Sequence, residues 1–320
     1  MRNIAFVFPG QGAQYTGMGK EIATNFTEAK DVYDEASEQL GFDMAKLCFE
    51  DPDNKLIKTE NTQPAILTTS IAILRVLEKE GIVGKMAAGL SLGEYSALVS
   101  ANALAFKDAV KLVKKRGKYM QETVPQGAGA MAAILGQDKN RLISCLEECR
   151  KHGVVEVANY NSPGQIVISG EVNAVKAAIE ITKNAGAKKA VMLPVSAPFH
   201  CSLLKEAGDK LLNELEKIKI QDPIVPVVTN VNAKKLLNRE EIIPNLVKQI
   251  SHSVLWHDVI ILMMKEGFDT FVEIGPGKTL SNFIKKIAKF EGASVETLNV
   301  DNLSDLQITV QKLRGGLKWT

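Results

Sequence analysis

Met86-Ala87-Ala88-Gly89-Leu90-Ser91-Leu92-Gly93-Glu94-Tyr95-Ser96-Ala97-Leu98-Val99 reads as a short apolar strand, a tight turn and a helix. Its centre, Gly89-Leu90-Ser91-Leu92-Gly93, has the G-x-S-x-G pattern of a nucleophile elbow, and strand–turn–helix is the context that pattern needs. Two glycines permit a strained turn that a bulky neighbour would block. The turn sets the Ser91 hydroxyl at a helix N-terminus, where unpaired N–H groups can stabilise an oxyanion.

Outward from the elbow, strands and helices alternate. Asn3–Phe8 reads as a strand running into the loop Pro9-Gly10-Gln11-Gly12-Ala13-Gln14. Helices are expected at about 28–40, 63–79 and 108–120. From 128 to 193 the pattern becomes β-α-β-β-α-β, with strands at 128–135, 154–159, 165–169 and 188–193 and helices at 138–151 and 172–185, a ferredoxin-like unit inserted in the chain. Afterwards come a helix at 201–217, a strand at 225–230, helices at about 239–250 and 257–266, a strand at 270–274 and a helix opening at Lys278. A last strand at 294–299 and a helix at 303–314 close the chain. The fold class is therefore α/β, a mainly parallel sheet covered on both faces plus the inserted subdomain. The division expected is 1–125 and 195–320 for the core and 126–194 for the insertion.

The 320 residues carry a net charge of +2, which leaves no nucleic-acid footprint. No apolar run reaches the ~20 residues of a membrane span, and the first strand is too short to be a signal peptide. Four cysteines, Cys48, Cys145, Cys149 and Cys201, are too few for a disulfide scaffold and complete no zinc site. They read as thiols of a reducing compartment, the cytoplasm; no metal is expected, and a monomer is the default.

A serine nucleophile needs a base within reach, and there are four histidines. His152 and His252 sit at helix ends, and His257 opens a helix. His200 follows a strand end in Val195-Ser196-Ala197-Pro198-Phe199-His200 and enters a helix, the kind of place where α/β sites gather. It is the best base candidate, against the alternative of a buried structural histidine. The acids between 91 and 200 sit mostly on expected exposed helix faces, so a Ser–His dyad oriented by a carbonyl is favoured over a full triad. At about 100° per residue, Arg116 falls in the middle of an apolar stripe of Ala109, Leu112, Val113, Tyr119 and Met120, while Lys107, Lys111, Lys114, Lys115 and Lys118 face away. An inward guanidinium must find an anion or several carbonyls. It is either a structural salt bridge or a fork for a substrate carboxylate. The Gly10–Gln14 loop is no phosphate loop; it is a plain turn, or it supplies a second oxyanion donor from the Gln11 N–H beside the Leu92 N–H.

Together these residues resemble the malonyl-CoA:acyl carrier protein transacylases of fatty acid synthesis and the acyltransferase domains of polyketide synthases. The resemblance runs through Phe8–Gln14, Thr62-Gln63-Pro64-Ala65-Ile66, Ser91–Leu98, Arg116-Gly117 with Met120-Gln121, Asn159-Tyr160-Asn161-Ser162-Pro163-Gly164-Gln165, Ser196–His200, Gln249 before Trp256, and Glu273-Ile274-Gly275-Pro276-Gly277. It implies an α/β-hydrolase-like core with a ferredoxin-like insertion, and a ping-pong reaction without cofactor or metal. In that reaction Ser91 attacks the thioester of malonyl-CoA with His200 as base, and the Gln249 carbonyl orients the histidine. The N–H groups of Gln11 and Leu92 hold the oxyanion, and Arg116 pairs with the malonyl carboxylate. Gln11, Leu90, Met120, Asn159 and Phe199 line the substrate site. The phosphopantetheine thiol of acyl carrier protein then takes the malonyl group.

Two positions depart from the family: Leu90 replaces the usual histidine before the nucleophile, which lines the acyl pocket, and Ser253 replaces a frequent proline. Phe199 before His200 is closer to malonyl-selective than to methylmalonyl-selective members. Lys188, Lys189, Lys285 and Lys286 are solvated charge, or help dock an acidic carrier protein. The alternatives are a trans-acting polyketide acyltransferase, a serine thioesterase or hydrolase, and a silent module that docks acyl carrier protein.

Overall fold

The computed structural model describes residues 2–195 and 197–314; Ser196, quoted in the Ser196–His200 motif, and residues 315–320 lie outside them. Among the described residues, ten strands form two sheets. β1 (Ile4–Phe8), β2 (Met86–Gly89), β7 (Val227–Val228), β8 (Lys235–Leu236), β9 (Thr270–Ile274) and β10 (Glu296–Val300) make a sheet of order β10-β9-β1-β2-β7-β8. All its pairs are parallel except β7–β8. β3 (Gly129–Leu135), β4 (Val155–Ser162), β5 (Gln165–Glu171) and β6 (Lys189–Met192) make a wholly antiparallel sheet of order β4-β5-β3-β6.

The central parallel strands β1 and β2 carry no polar side chain; four of the five residues of β1 and all four of β2 are buried, as a sheet covered on both faces requires. On one face, helices Thr59–Lys79 and Phe106–Glu122 pack against each other and carry much of the larger core cluster. Each large apolar side chain buried there contributes about 1.5–3 kcal/mol. On the other, helices Trp256–Lys265 and Thr279–Phe290 close a second cluster around Trp256 and Phe271.

The antiparallel sheet has a core of its own, drawn only from residues 130–190. Ala130, Ala132 and Ile134 of β3 and Ile166 and Ile168 of β5 face its two helices, Lys139–Cys149 and Val172–Asn184. Met131, Ala133, Gln165 and Val167 turn the other way, into a cavity shared with the parallel sheet. In β4 the alternation breaks. Val155 and Val157 join the helix-covered core, yet Asn159 and Asn161 line the cavity. The pairing shifts register between Val157 and Asn159, and that irregularity turns the asparagines to the opposite face.

Several expected elements differ in extent. Helices Lys20–Asn25 and Met44–Phe49 were not anticipated; both are short and follow closely on a glycine, Gly19 and Gly41, although Asp43 caps the second through its bond from Lys46 N. The expected strand 225–230 shrinks to β7, because Pro223 and Pro226 remove donors just before it. The helix expected from 201 begins at Lys205, after a 3₁₀ turn at Ser202–Leu204. All four cysteines are buried free thiols. No described helix is long and apolar enough to cross a membrane, and no described group of side chains could hold a metal ion.

Candidate active site

The carboxyl ends of β1, β2, β7 and β9 meet along one edge of the parallel sheet, where open α/β sheets place ligands. Ser91 follows β2 with φ 54°, a left-handed conformation rare outside glycine, so the elbow stores backbone strain. Close packing explains its two glycines: a Cβ on Gly93 would stand 2.1 Å from the Phe8 carbonyl oxygen, and one on Gly89 would stand 1.9 Å from the Gly93 carbonyl carbon. Leu90 N donates to the Phe8 carbonyl (3.0 Å), tying the elbow to the end of β1 and its Gly10–Gln14 loop.

His200 lies 109 residues away in sequence, yet its Nε2 is 2.7 Å from Ser91 Oγ. Its Nδ1 is 2.7 Å from the backbone carbonyl of Gln249. A carbonyl only accepts, so Nδ1 carries the proton and Nε2 is left as the acceptor facing the serine. His200 also has positive φ, 59°. Burial, then the nearby Arg116 charge, push its pKa down to about 4, so the ring is neutral and ready to take a proton near neutrality.

Arg116 is buried, 1% exposed, at the centre of its helix's inner face. Nη1 donates to Gln63 Oε1 (2.8 Å), and Nη2 donates to Gln249 Oε1 (3.0 Å) and Ser91 Oγ (3.1 Å). The Tyr95 ring lies 5.3 Å from the guanidinium carbon. Nε is buried without a partner. All the side chains that Arg116 bonds are neutral; among the described residues it forms no ion pair. A structural salt bridge is therefore not what placed it there.

A cavity of about 480 Å³ opens on these groups. Of the residues expected at the site, Gln11, Leu90, Ser91, Arg116, Met120, Asn159, Phe199 and His200 line it. Leu92 and Gln249 stand behind its wall, both fully buried. The N–H groups of Gln11 and Leu92 have no acceptor among the described residues. Helix Thr279–Phe290 brings Thr279, Leu280 and Phe283 to the rim. Its N-terminus is held by buried Glu273, which accepts from Leu280 N (3.0 Å) and Ser281 N (2.7 Å) and whose carboxyl burial pushes up to about 7. A second cavity, about 620 Å³, shares His200 with the first and is lined by Glu156, Ser202 and His252 among others, but Ser91 and Arg116 do not reach it.

Three buried residues at the site had no role in the sequence reading. Gln63, quoted only as part of a motif, fixes one arm of Arg116. Asn230, just past β7, accepts from Ser91 N (2.7 Å) and donates to the Gly89 carbonyl (2.7 Å), bracing both sides of the elbow. Glu94, passed over among acids taken as exposed, is 1% exposed. Its being the one charged residue of helix Gly93–Ser100, three residues after Ser91, is the signal that could have flagged it.

Residues 5–307 match the profile of the acyl transferase domain. The chain is 45% identical, over 98% of each chain, to the malonyl CoA-acyl carrier protein transacylase of Bacillus subtilis (strain 168). To the protein of that name in Escherichia coli (strain K12) it is 46% identical, over 95% of this chain and 97% of the relative. Among solved structures, a malonyl CoA-acyl carrier protein transacylase from Clostridium perfringens ATCC 13124 superposes with a TM-score of 0.94 at 51% identity, covering 98% of each chain. A malonyl-transacylase solved in complex with a type II polyketide acyl-carrier protein superposes at 0.93 with 41% identity, covering 97% of this chain and 99% of that one.

Proposed function

The chain belongs to the acyl transferase domain family, and on that footing we propose that it moves a malonyl group from malonyl-CoA to the phosphopantetheine thiol of acyl carrier protein, supplying fatty acid biosynthesis. The observation that carries the choice of acyl group is the buried, ion-pair-free Arg116 beside the nucleophile. A guanidinium held by two amides and a hydroxyl, with Glu94 near enough to feel its charge but not bonded to it, has no ion-pair partner until an anionic substrate arrives, and the malonyl carboxylate is such an anion. A serine hydrolase of neutral esters has no use for it.

In this mechanism His200 Nε2 takes the Ser91 proton as Oγ attacks the thioester carbonyl. The Gln249 carbonyl stabilises the imidazolium through Nδ1–H, the part a carboxylate plays in a full triad. The free N–H groups of Gln11 and Leu92 receive the developing oxyanion. The tetrahedral intermediate collapses, His200 gives its proton to the departing CoA thiolate, and malonyl-Ser91 remains. The carrier thiol repeats the sequence in reverse, its proton passing to His200 and back to Ser91. Arg116 holds the carboxylate through both halves. Leu90, Met120, Asn159 and Phe199 shape the acyl chamber, with Leu90 giving it an apolar wall.

Support for the finer fold reading comes from the strand order. β4-β5-β3-β6 with two helices on one face is the ferredoxin-like arrangement, and its separate core favours an insertion at 126–194 within a core of 1–125 and 195–320. A serine elbow at the end of a central parallel strand favours the α/β-hydrolase-like reading of that core. Four buried free thiols fit the cytoplasm. The similarity to the polyketide transacylase keeps a trans-acting polyketide role as the second reading.

The test is incubation with labelled malonyl-CoA, peptide mapping, and a chase with phosphopantetheinylated acyl carrier protein. The label is expected on Ser91, absent from Ser91→Ala, and transferred to the carrier. A label that survives in Ser91→Ala, or passes to water alone, would sink this reading.

A further inference from the structure

Gln249 does two jobs with two parts of itself. Its backbone carbonyl holds His200, and its side-chain oxygen accepts from Arg116. An amide side chain can turn over, exchanging oxygen for NH₂. Turned over, it would aim a donor at the guanidinium and push it off its seat. The side-chain nitrogen of Gln249 decides which way it stands. It donates to Glu94 Oε2 (2.8 Å), to the Ser91 carbonyl (3.0 Å) and, more weakly, to Asn230 Oδ1 (3.3 Å). Glu94 Oε2 also accepts from Asn230 N (3.0 Å). One carboxylate oxygen therefore joins three separate segments: the elbow helix Gly93–Ser100, the end of β7, and helix Ile242–Ser251.

We propose that Glu94 is a positioning residue that locks the Gln249 side-chain amide with its oxygen toward Arg116, and so sets the guanidinium for the substrate carboxylate. The role rests on the acyl-transfer reading above. It depends on the reach of Glu94 and not on its charge, because both bonds go to a single oxygen that a glutamine would also present. Burial agrees, pushing the Glu94 carboxyl up to about 7, so that a large share of molecules carry it uncharged near neutrality. Glu94 has no contact with the cavity; it acts through Gln249.

Two variants separate reach from charge. Glu94→Gln keeps the oxygen in place and drops the charge; Glu94→Asp keeps the charge and withdraws the oxygen by one methylene. Acylation of Ser91 by malonyl-CoA and by acetyl-CoA is measured in each, with kcat and KM separated. Glu94→Gln is expected to keep the malonyl preference within about twofold of the unsubstituted protein. Glu94→Asp is expected to lose about tenfold of it through a higher KM for malonyl-CoA, while acetyl-CoA acylation moves by no more than about twofold. Equal behaviour of the two variants, or loss confined to Glu94→Gln, would overturn the role of Glu94 and leave the site reading intact. An unsubstituted protein without malonyl preference would overturn both.

Discussion

The elbow edge of the parallel sheet and the helix-covered face of the antiparallel sheet are built on opposite rules. On the second, side chains alternate, the core is almost wholly apolar, and Asp138 caps helix Lys139–Cys149 through Asn140 N and Arg141 N. On the first, Ser91 and His200 take left-handed backbone, and Glu94, Arg116, Asn230 and Gln249 are all buried. Each departure there costs stability that an ordinary core would keep. The cost is concentrated where the proposed chemistry lies, and the antiparallel unit offers the cavity the far faces of β3 and β5 together with the two asparagines that β4 brings there by breaking its alternation.

The contrast can be broken experimentally, most severely at Arg116. Arg116→Ala removes the proposed charge-assisted fork; two hydrogen bonds from it to a carboxylate would together be worth about 3 kcal/mol, so the malonyl-over-acetyl preference should fall about 100-fold. Competition between the two thioesters for Ser91 reads this directly, and an unchanged ratio removes Arg116 from carboxylate recognition.

A smaller effect concerns proton balance at the same edge. His200 accepts a proton only when neutral, so acylation should fall on the acid side near pH 4 and not near the ordinary histidine value of about 6.5. At pH 5.5 the initial rate should stay close to its plateau, where an unshifted histidine would leave about a tenth of it. Brief acylation assays across pH 4–7, each at saturating malonyl-CoA, measure the limb; a midpoint near 6.5 contradicts the burial argument.

The smallest effect lies across the comparison. Asp138→Ala removes the cap of helix Lys139–Cys149 and should cost about 1 kcal/mol in denaturant unfolding. Acylation of Ser91 should be unaltered, because this helix packs on the face turned away from the cavity. A variant as stable as the parent, or one with impaired acylation, would show the two regions to be less separate than their cores.

The same contrast governs what was legible in the sequence. Ser91 was legible because a nucleophile elbow is local, five residues with a strand before and a helix after. Arg116 was legible because helical phase is local too, and His200 was reached from a list of four. The β-α-β-β-α-β order followed from period and turn residues, and the strand order β4-β5-β3-β6 agrees with it. Gln249 came from family resemblance alone. Glu94, Asn230 and Gln63 escaped because their partners lie 19 to 155 residues away, and no periodicity records such a bond. The register shift that turns Asn159 and Asn161 toward the cavity escaped for a related reason: it is a property of the β4–β5 pairing and not of β4.

In the proposed reaction a buried cation without an ion-pair partner selects the acyl group loaded on Ser91. The most direct measurement is intact-protein and peptide mass spectrometry after brief exposure to equal concentrations of malonyl-CoA and acetyl-CoA. A malonyl adduct on Ser91 in large excess over acetyl is expected. Equal loading of the two acyl groups, or an adduct on any other residue, would contradict it.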